Sequence, residues 1–375
     1  MMNGNTPGAF SRKGLVAPSA MSGLSKTNTT METVEISVKG RWSSVPALRV
    51  GGNILIVQGS VVKTAVLHEE QWLATELEAP ELCVRELRSQ GPGGLHADLL
   101  AFSQKVPGTR PKFDYPLEWD SVAVAQVPSF TAWWQNLPQE SRKNVRRSQK
   151  RGVVAQVRNL DDRLVAGIVE VNDDSPVRQN IRFSHYGKTF DQVKKDQSSF
   201  LDRSDFVCTY FGDELIGFLK LVYRGGVASI LQLLTKASHA DKRPANALLA
   251  KTVELCEAKR IALLTYGKFN YGNKRESSLR EFKGRNGFDE MLVPRYFVPV
   301  TRWGSLCLNA RFHRGLHGLL PGPAINAFVS ARARAYRLVN LLSRCSSMVE
   351  QPKSNRQMGC STPPAGSSTQ LSNDT

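Results

Sequence analysis

A run of basic side chains is the first candidate for chemistry. Residues 141–151 hold six basic residues and no acidic one, namely Arg142, Lys143, Arg146, Arg147, Lys150 and Arg151. Because such a run neutralises successive phosphate groups, we predict that Arg142 and Arg146 bind tRNA or nucleotide phosphates as substrate contacts. A solvated helix face is an equally good interpretation. Trp133 and Trp134 just before it could stack on a base, but paired tryptophans more often lie in a core.

A second candidate is the polar stretch of residues 266–274. It follows a strand-like run, and ligands of α/β proteins often lie beyond the ends of strands. We predict that four of its side chains contact the substrate, namely Lys268, Asn270, Asn273 and Lys274. We predict a catalytic role for Tyr271. The alternative interpretation is a long polar turn.

His185 is the third candidate. Its imidazole changes charge near neutral pH, so it could act as the general base that takes a proton from an amine. A lone histidine is more often structural or merely exposed. We predict a catalytic role for His185, and the alternative interpretation is a structural or exposed histidine.

The composition restricts the class of protein and partner. The chain has 375 residues, 50 Lys and Arg against 33 Asp and Glu, and a formal net charge of +17, which favours RNA or an anionic membrane surface as partner. Its six cysteines are far apart and near no histidine cluster, so neither a metal site nor a disulfide framework is predicted. Isolated reduced thiols indicate a cytoplasmic protein. No apolar run reaches the ~18 residues of a membrane span.

The elements that position these candidates fall into two predicted domains. Residues 1–33 predict a disordered tail, and we hypothesise that translation begins at Met31. Residues 34–128 predict a small α/β unit, and residues 129–304 a larger domain. In the larger domain a three-stranded meander over 206–235 is followed by helix, strand, helix and strand. This order predicts an α/β (α+β) fold with a mixed, mostly antiparallel sheet flanked by helices.

The C-terminal part changes character. Residues 305–344 alternate apolar residues with arginines and predict basic amphipathic helices, which could lie on a membrane surface. Packing against the preceding domain, with the arginines outward, is the slightly favoured alternative. Residues 345–375 predict a second disordered tail.

The order of elements over 206–300 resembles the acyl-CoA half of the GNAT N-acyltransferase fold. Residues 278–288 end in Asn-Gly-Phe before the last strand, as members of that superfamily often do. Trp133-Trp134 followed by the basic string over 142–153 resembles the FemAB-like branch. That branch has two GNAT-like repeats, which makes the 34–128 unit a candidate for a degenerate first repeat.

The resemblance implies where an acyl donor would bind. GNAT enzymes hold a pyrophosphate at the turn before the helix that begins near Pro244. By this resemblance the donor contacts are Gln232, Lys242, Arg243 and Asn246. The glycines of that turn are missing here, Pro244 removes an amide donor, and Phe282 stands where an acid tyrosine is expected.

The implied function is N-acyl transfer in a bacterial cytoplasm. The donor would be an acyl-CoA or an aminoacyl-tRNA, bound as a co-substrate and not as a tight cofactor. The acceptor would be an amine of a cell-envelope or polysaccharide precursor, reached at the inner membrane surface through residues 305–344. The alternative is a non-catalytic protein on a decayed GNAT fold that binds RNA or a membrane surface.

Overall fold

The computed structural model describes residues 29–38, 41–68, 76–178, 181–270 and 277–314. The strands are β1 (Thr29–Val38), β2 (Arg41–Val50), β3 (Asn53–Gln58), β4 (Thr64–Leu67), β5 (Leu99–Ser103), β6 (Leu117–Gln126), β7 (Val153–Arg158), β8 (Val177–Arg178), β9 (Ile181–Arg182), β10 (Ser204–Phe211), β11 (Glu214–Arg224), β12 (Val227–Thr235), β13 (Leu263–Lys268) and β14 (Asp289–Pro299). The helices are α1 (Pro80–Arg88), α2 (Phe130–Asn136), α3 (Gln139–Lys150), α4 (Asp162–Asp173), α5 (Phe190–Gln197), α6 (Pro244–Ala258), α7 (Ser278–Arg285) and α8 (Arg302–Asn309).

Twelve strands form one sheet in the order β1-β2-β3-β4-β5-β14-β6-β13-β12-β11-β10-β7. Among the described residues only β4 with β5 and β12 with β13 are parallel neighbours. Parallel neighbours need a crossover, and α1 and α6 lie in the chain between the two members of these pairs. The predicted fold class, a mixed and mostly antiparallel sheet flanked by helices, is confirmed.

The same order of strand directions occurs on both sides of the central pair of strands, β14 and β6. On one side of the central pair, β14 is antiparallel to β5, β5 is parallel to β4, and the remaining neighbours are antiparallel. On the other side β6, β13, β12, β11, β10 and β7 follow the same sequence of directions. We call these the first half (β1–β5 with β14) and the second half (β6, β7 and β10–β13). The sheet runs without a break across the predicted 128/129 boundary, so the division into two domains stays a prediction.

The two faces of the second half carry different helices. Leu219 of β11 packs into a cluster with Leu248 of α6, on what we call the α6 face. Its neighbour Phe218 packs into another cluster with Val165 of α4 and Val193 of α5, on the α5 face. This alternation is the period-two pattern of a strand that is buried on both sides. The first half has its own core, in which α1 packs on β5 and β14.

Local sequence explains where four of these eight helices begin. The side chains of Ser129, Asp161 and Ser277 each accept a hydrogen bond from a backbone N–H in the first turn of α2, α4 and α7. Thr189 caps α5 through a reciprocal capping box with Gln192. Such caps satisfy amides that a helix leaves without partners, which fixes the start of the helix.

The boundaries differ from the predictions at the N-terminal end. Strand β1 begins at Thr29, inside the predicted tail of residues 1–33, because its whole length pairs with β2 from Thr29↔Val50 onward. The predicted meander over 206–235 is present as β10, β11 and β12. Residues 1–28 and 315–375 lie outside the described residues, so both tails and most of the 305–344 helices stay predictions.

Within the described part of the chain, no helix combines the length and apolar character that a membrane span requires.

Candidate functional site

An opening in the middle of the sheet is the main feature of the site. Strands β12 and β13 pair only from Val227↔Leu263 to Ser229↔Thr265, although β12 continues to Thr235. The pairing of β12 with β11 also shifts at this point, since Leu221 faces Ile230 while Lys220 faces Gln232. Leu231 is therefore an extra, bulged residue. Beyond it, no strand of the described residues pairs with the edge of β12 that faces β13, and an extended ligand could pair there.

A buried lysine stands at this opening. Lys283 of α7 is fully buried, and its Nζ donates to the carbonyl oxygens of Tyr266 at 2.6 Å and Lys268 at 2.7 Å. Both carbonyls lie on β13 just after Thr265, where the ladder with β6 is irregular. Nζ also lies 4.4 Å from the centre of the Tyr266 ring. Helix α7 thus places the Lys283 ammonium against the last residues of β13.

The pKa of Lys283 supports a role in proton transfer. Burial lowers the pKa of the Lys283 ammonium from 10.5 to about 8, because the charged form is shielded from water. At pH 7 the group is still largely protonated, yet it gives up a proton more readily than an ordinary lysine. A group of this kind can stabilise a developing negative charge or protonate a leaving oxygen.

A carboxylate of the chain accepts hydrogen bonds from the turn between β12 and α6. Asp174, which follows α4, accepts hydrogen bonds from the Ala237 amide and the Ser238 hydroxyl. Burial alone would raise the pKa of Asp174, but these hydrogen bonds hold it below its ordinary value. Glu214 lies nearby and accepts a hydrogen bond from Lys236. Asp174 therefore occupies the Ala237 amide, which precedes the predicted donor contacts Lys242 and Arg243 in the chain, and it adds a negative charge to this turn.

The predicted donor contacts near this turn have other partners. Lys242 lies over the Phe211 ring at 4.7 Å and pairs with Asp241 at 3.6 Å. Arg243 is exposed and has a φ of 57°, the left-handed conformation that glycine would adopt more easily. Asn246 is buried, and its Nδ2 donates to Oδ1 of Asn286 at 3.0 Å. Asn246 therefore joins α6 to the end of α7 and does not face the turn.

The fourth predicted donor contact, Gln232, lies at the opening on the α5 face. Its Oε1 accepts a hydrogen bond from Nε2 of Gln197, the last residue of α5, at 2.8 Å. The neighbouring Lys220 is buried, and its Nζ donates to the backbone oxygens of Gln197 and Ser199. These contacts hold the end of α5 against β11 and β12.

His185 lies next to α5. Its Nδ1 is 4.0 Å from a carboxylate oxygen of Asp196, which also pairs with Lys188. Burial first, and then the charge of Lys188, lowers the pKa of His185 below 6.5. The ring is therefore neutral at pH 7 and able to accept a proton. Trp42 of β2 donates to Asp196 at 2.7 Å, so the β1–β2 hairpin of the first half reaches this part of the second half.

The basic run forms most of helix α3. Val145 and Ser148 are buried, while Arg146 is exposed and stacks over the Trp134 ring at 5.5 Å. Trp133 is buried in the core, as the more common role of paired tryptophans suggests. Arg142 is half-buried. The helix therefore presents a cationic outer side with one aromatic ring, which is suited to a polyanion.

The polar stretch after β13 is described only in part. Lys268 pairs with Asp120 at 3.3 Å, and Nδ2 of Asn270 donates to Glu290 at 2.7 Å. Tyr271, Asn273 and Lys274 lie outside the described residues, so their predicted roles stay predictions.

The described cysteines offer no activated thiol. Burial raises the pKa of Cys83, Cys208 and Cys256 to about 12; Glu86 and Glu81 add to the rise at Cys83, whereas Arg158 opposes it at Cys208. Cys307 is also buried and has no disulfide partner. These four side chains belong to the cores of the protein.

Sequence reasoning missed three residues of this site. Lys283 directly follows Phe282, so the motif marked its position, but nothing in the pattern said that the lysine is buried. Asp174 follows α4, and nothing in the sequence indicated its contact with the distant turn. Gln197 ends another helix, and only its contact with Gln232 gives it significance.

Comparison with known proteins concerns the fold. No protein-family model matches the chain, and no curated protein sequence matches it. Solved structures similar to it include L-PGS from Bacillus licheniformis, with 14% identity, 67% of this chain and 82% of that chain covered, and a TM-score of 0.45. FemX is 9% identical, with 71% and 88% covered and a TM-score of 0.44. A tandem GNAT protein from the clavulanic acid biosynthesis pathway is 10% identical, with 73% and 84% covered and a TM-score of 0.38.

Proposed function

We propose that this protein is an N-acyltransferase that moves an aminoacyl group from the ester of an aminoacyl-tRNA to an amine. The observation that carries this proposal is the buried ammonium of Lys283 at the opening between β12 and β13. An acyl transfer needs a place for an extended acyl group and a positive charge near its leaving oxygen. The unpaired edge of β12 and the Lys283 ammonium, both close to Thr265 in the sheet, support the proposal on these two points.

The proposed chemistry follows from these positions. The acyl group of the donor lies along the unpaired edge of β12, where backbone groups after Leu231 can bind it. The neutral amine attacks the ester carbonyl and forms a C–N bond, and the carbonyl oxygen becomes an oxyanion. The C–O bond to the ribose then breaks. The Lys283 ammonium stabilises the oxygen that leaves and gives it a proton, and the nitrogen loses its extra proton to a base.

His185 is proposed as that base. Its lowered pKa keeps the ring neutral at pH 7, so it can take a proton from the attacking nitrogen. It lies beside Asp196, the neighbour of Gln197, and Gln197 in turn contacts the opening. Tyr271 remains a second proposed catalytic residue.

Two features favour an aminoacyl-tRNA over an acyl-CoA as donor. Asp174 takes the Ala237 amide and adds a negative charge to the turn before α6, and Pro244 has no amide to offer. Helix α3 supplies a basic surface for the RNA backbone instead, with Arg142 and Arg146 as contacts. Lys268 and Asn270 are proposed as further substrate contacts. The proposed acceptor is an amine of a cell-envelope or polysaccharide precursor, with residues 305–344 in contact with the membrane surface.

The test uses the full chain and tRNA charged with radiolabelled amino acids. We expect the label to pass to an amine in a lipid or cell-envelope precursor fraction, and the Lys283→Met variant to lose this transfer. Lys251→Met is the matched control, because Lys251 also lies on a helix but pairs with Glu254 at the surface. Salt-sensitive binding of tRNA without any transfer would overturn the proposal in favour of the non-catalytic RNA-binding alternative. Stabilisation of the protein by acetyl-CoA would instead contradict the proposed donor.

A further inference from the structure

A pair of glutamine side chains joins α5 to β12 and leaves one oxygen without a hydrogen bond. Nε2 of Gln197 donates to Oε1 of Gln232 at 2.8 Å. Gln197 is only 4% exposed. Its own Oε1 is buried and has no hydrogen-bond partner within the described part of the chain. Buried polar atoms are nearly always paired, so an oxygen of this kind indicates a missing donor.

The orientation of the two amides decides which oxygen is unpaired. A single hydrogen bond between two primary amides uses one carbonyl oxygen and one NH₂ group. With Gln197 as the donor, the free oxygen is Oε1 of Gln197; if both amides were turned, it would be Oε1 of the half-buried Gln232. In either orientation the pair presents one acceptor and one NH₂ group, which is a complementary surface for a group that carries N–H and a lone pair.

Lys220 cannot supply the missing donor. Its three ammonium protons are taken by the backbone oxygens of Gln197 and Ser199 and by the Ser199 hydroxyl. The bond from Lys220 to the Gln197 carbonyl also fixes the backbone from which the Gln197 side chain extends. The donor that would complete the pair must therefore come from outside this cluster.

The place of the pair suggests what that donor is. Gln232 directly follows the bulged Leu231, at the start of the unpaired edge of β12. The pair approaches this edge from the α5 face, whereas Lys283 reaches the opening from α7, whose Phe282 packs on the α6 face. A ligand that contacts both would have its leaving oxygen on one side and its attacking group on the other.

We propose that Gln197 and Gln232 form a binding site for a primary amine. The unpaired oxygen accepts one N–H of the amine, which leaves the nitrogen lone pair free to point into the opening. The role of the site in acyl transfer rests on the proposed function, but the binding of an amine does not, and it is tested without any transfer.

The experiment follows the side-chain amide resonances of the full chain, labelled with nitrogen-15 in its glutamines. The probe is methoxyamine, a primary amine that is largely uncharged at neutral pH. N,N,O-trimethylhydroxylamine is the matched probe without an N–H group. We expect methoxyamine to shift the resonances of Gln197 and Gln232, and the trimethyl compound to leave them in place.

Two variants locate the site. Gln197→Met keeps the length of the side chain and removes the acceptor, and we expect it to weaken methoxyamine binding about tenfold, which corresponds to the loss of a hydrogen bond. Gln126→Met, at an exposed glutamine of β6, should bind as the wild type does. Gln197→Met also removes the hydrogen bond to Gln232, so the free energy of unfolding of each variant is measured alongside. A purely structural role of Gln197 would change that free energy and leave methoxyamine binding to the folded variant as in the wild type. Should Gln197→Met fail to fold, Gln232→Met, at the half-buried partner, is the variant to use.

The outcomes separate this site from the proposed function. Equal shifts with both probes, or none with methoxyamine, would overturn the amine site even if the protein transfers aminoacyl groups. Amine binding that depends on Gln197, in a protein that transfers nothing from aminoacyl-tRNA, would support the site and overturn the transferase.

Discussion

The two halves of the sheet have the same order of strand directions but differ where the chemistry would take place. In the second half β12 has nine residues and a bulge, and it outruns its parallel partner β13. In the first half the corresponding strand β4 has four residues, and its pairing with β3 and β5 shows no shift. Over the residues that the structure describes, β4 therefore has no long unpaired edge like that of β12.

The segments after the parallel pairs differ as well. In the second half, helix α7 lies between β13 and β14 and carries Lys283. In the first half, residues 104–116 connect β5 to β6 without a helix, and Gln104 fixes this connector by donating to the Gly108 and Arg110 carbonyls. The buried lysines of the described residues, Lys220, Lys236 and Lys283, all belong to the second half or its helices. A repeated sheet thus does not imply a repeated site.

The largest expected effect concerns Lys283. We expect Lys283→Met to lower the rate of aminoacyl transfer by about 10²- to 10³-fold, the usual consequence of removing one group that stabilises an oxyanion. Lys112→Met changes an exposed lysine of the first-half connector and should leave the rate unchanged. The rate of the wild type should fall as pH rises through about 8, because the ammonium then loses its proton. An unchanged rate in Lys283→Met would show that the buried lysine of the second half takes no part in the transfer.

A smaller effect is expected at the basic surface of α3. The double variant Arg142→Ala with Arg146→Ala should bind tRNA roughly tenfold more weakly, and the slope of log K against log salt should fall by about 0.7–0.9 for each phosphate that the variant no longer neutralises. The matched first-half control replaces Lys63 and Arg85, which are both exposed. Filter binding at several salt concentrations measures both slopes. Equal decreases in the two double variants would mean that net charge alone attracts the RNA.

A pH-dependent effect on stability is expected from Lys220. Burial lowers the pKa of Lys220 from 10.5 to about 8, so between these values the unfolded chain binds a proton that the folded protein does not. Raising the pH through this window therefore favours the folded state, by at most about 1.4 kcal/mol per pH unit. Urea unfolding of the wild type should show this gain between pH 8 and 10.5. Lys220→Met should lack its share, and parallel curves for the two proteins would contradict the assignment.

A further effect on stability is expected at the turn before α6. Asp174→Ala leaves the Ala237 amide and the Ser238 hydroxyl without their acceptor, which should lower the free energy of unfolding by about 1–3 kcal/mol. Urea unfolding at pH 7 measures the decrease. Asp173→Ala is a neighbouring control, because Asp173 accepts a hydrogen bond only from the exposed Gly187 amide in the described structure. A decrease of the same size in both variants would show that the hydrogen bonds of Asp174 to the turn add no particular stability.

Much of the framework was predictable because it depends on short-range patterns. Alternating apolar residues and the Gly212 and Gly225 turns predicted the meander of β10, β11 and β12. Ser277 and the Asn286-Gly287 ending fixed the limits of α7, and Ser129 fixed the start of α2. These features need only neighbours within a few residues, so the sequence by itself determined them, together with the basic character of α3.

Only the tertiary structure decided what the site contains. Asp174 meets an amide 63 residues away, and Gln197 meets Gln232 across 35 residues. Whether Lys283 is an ordinary surface lysine or a buried ammonium depends on the irregular end of β13 above it. Burial and strand register are set by the whole sheet, and a one-residue bulge changes which side chains face the opening. For that reason the sequence marked the helices and strands of the site but not the contacts among them.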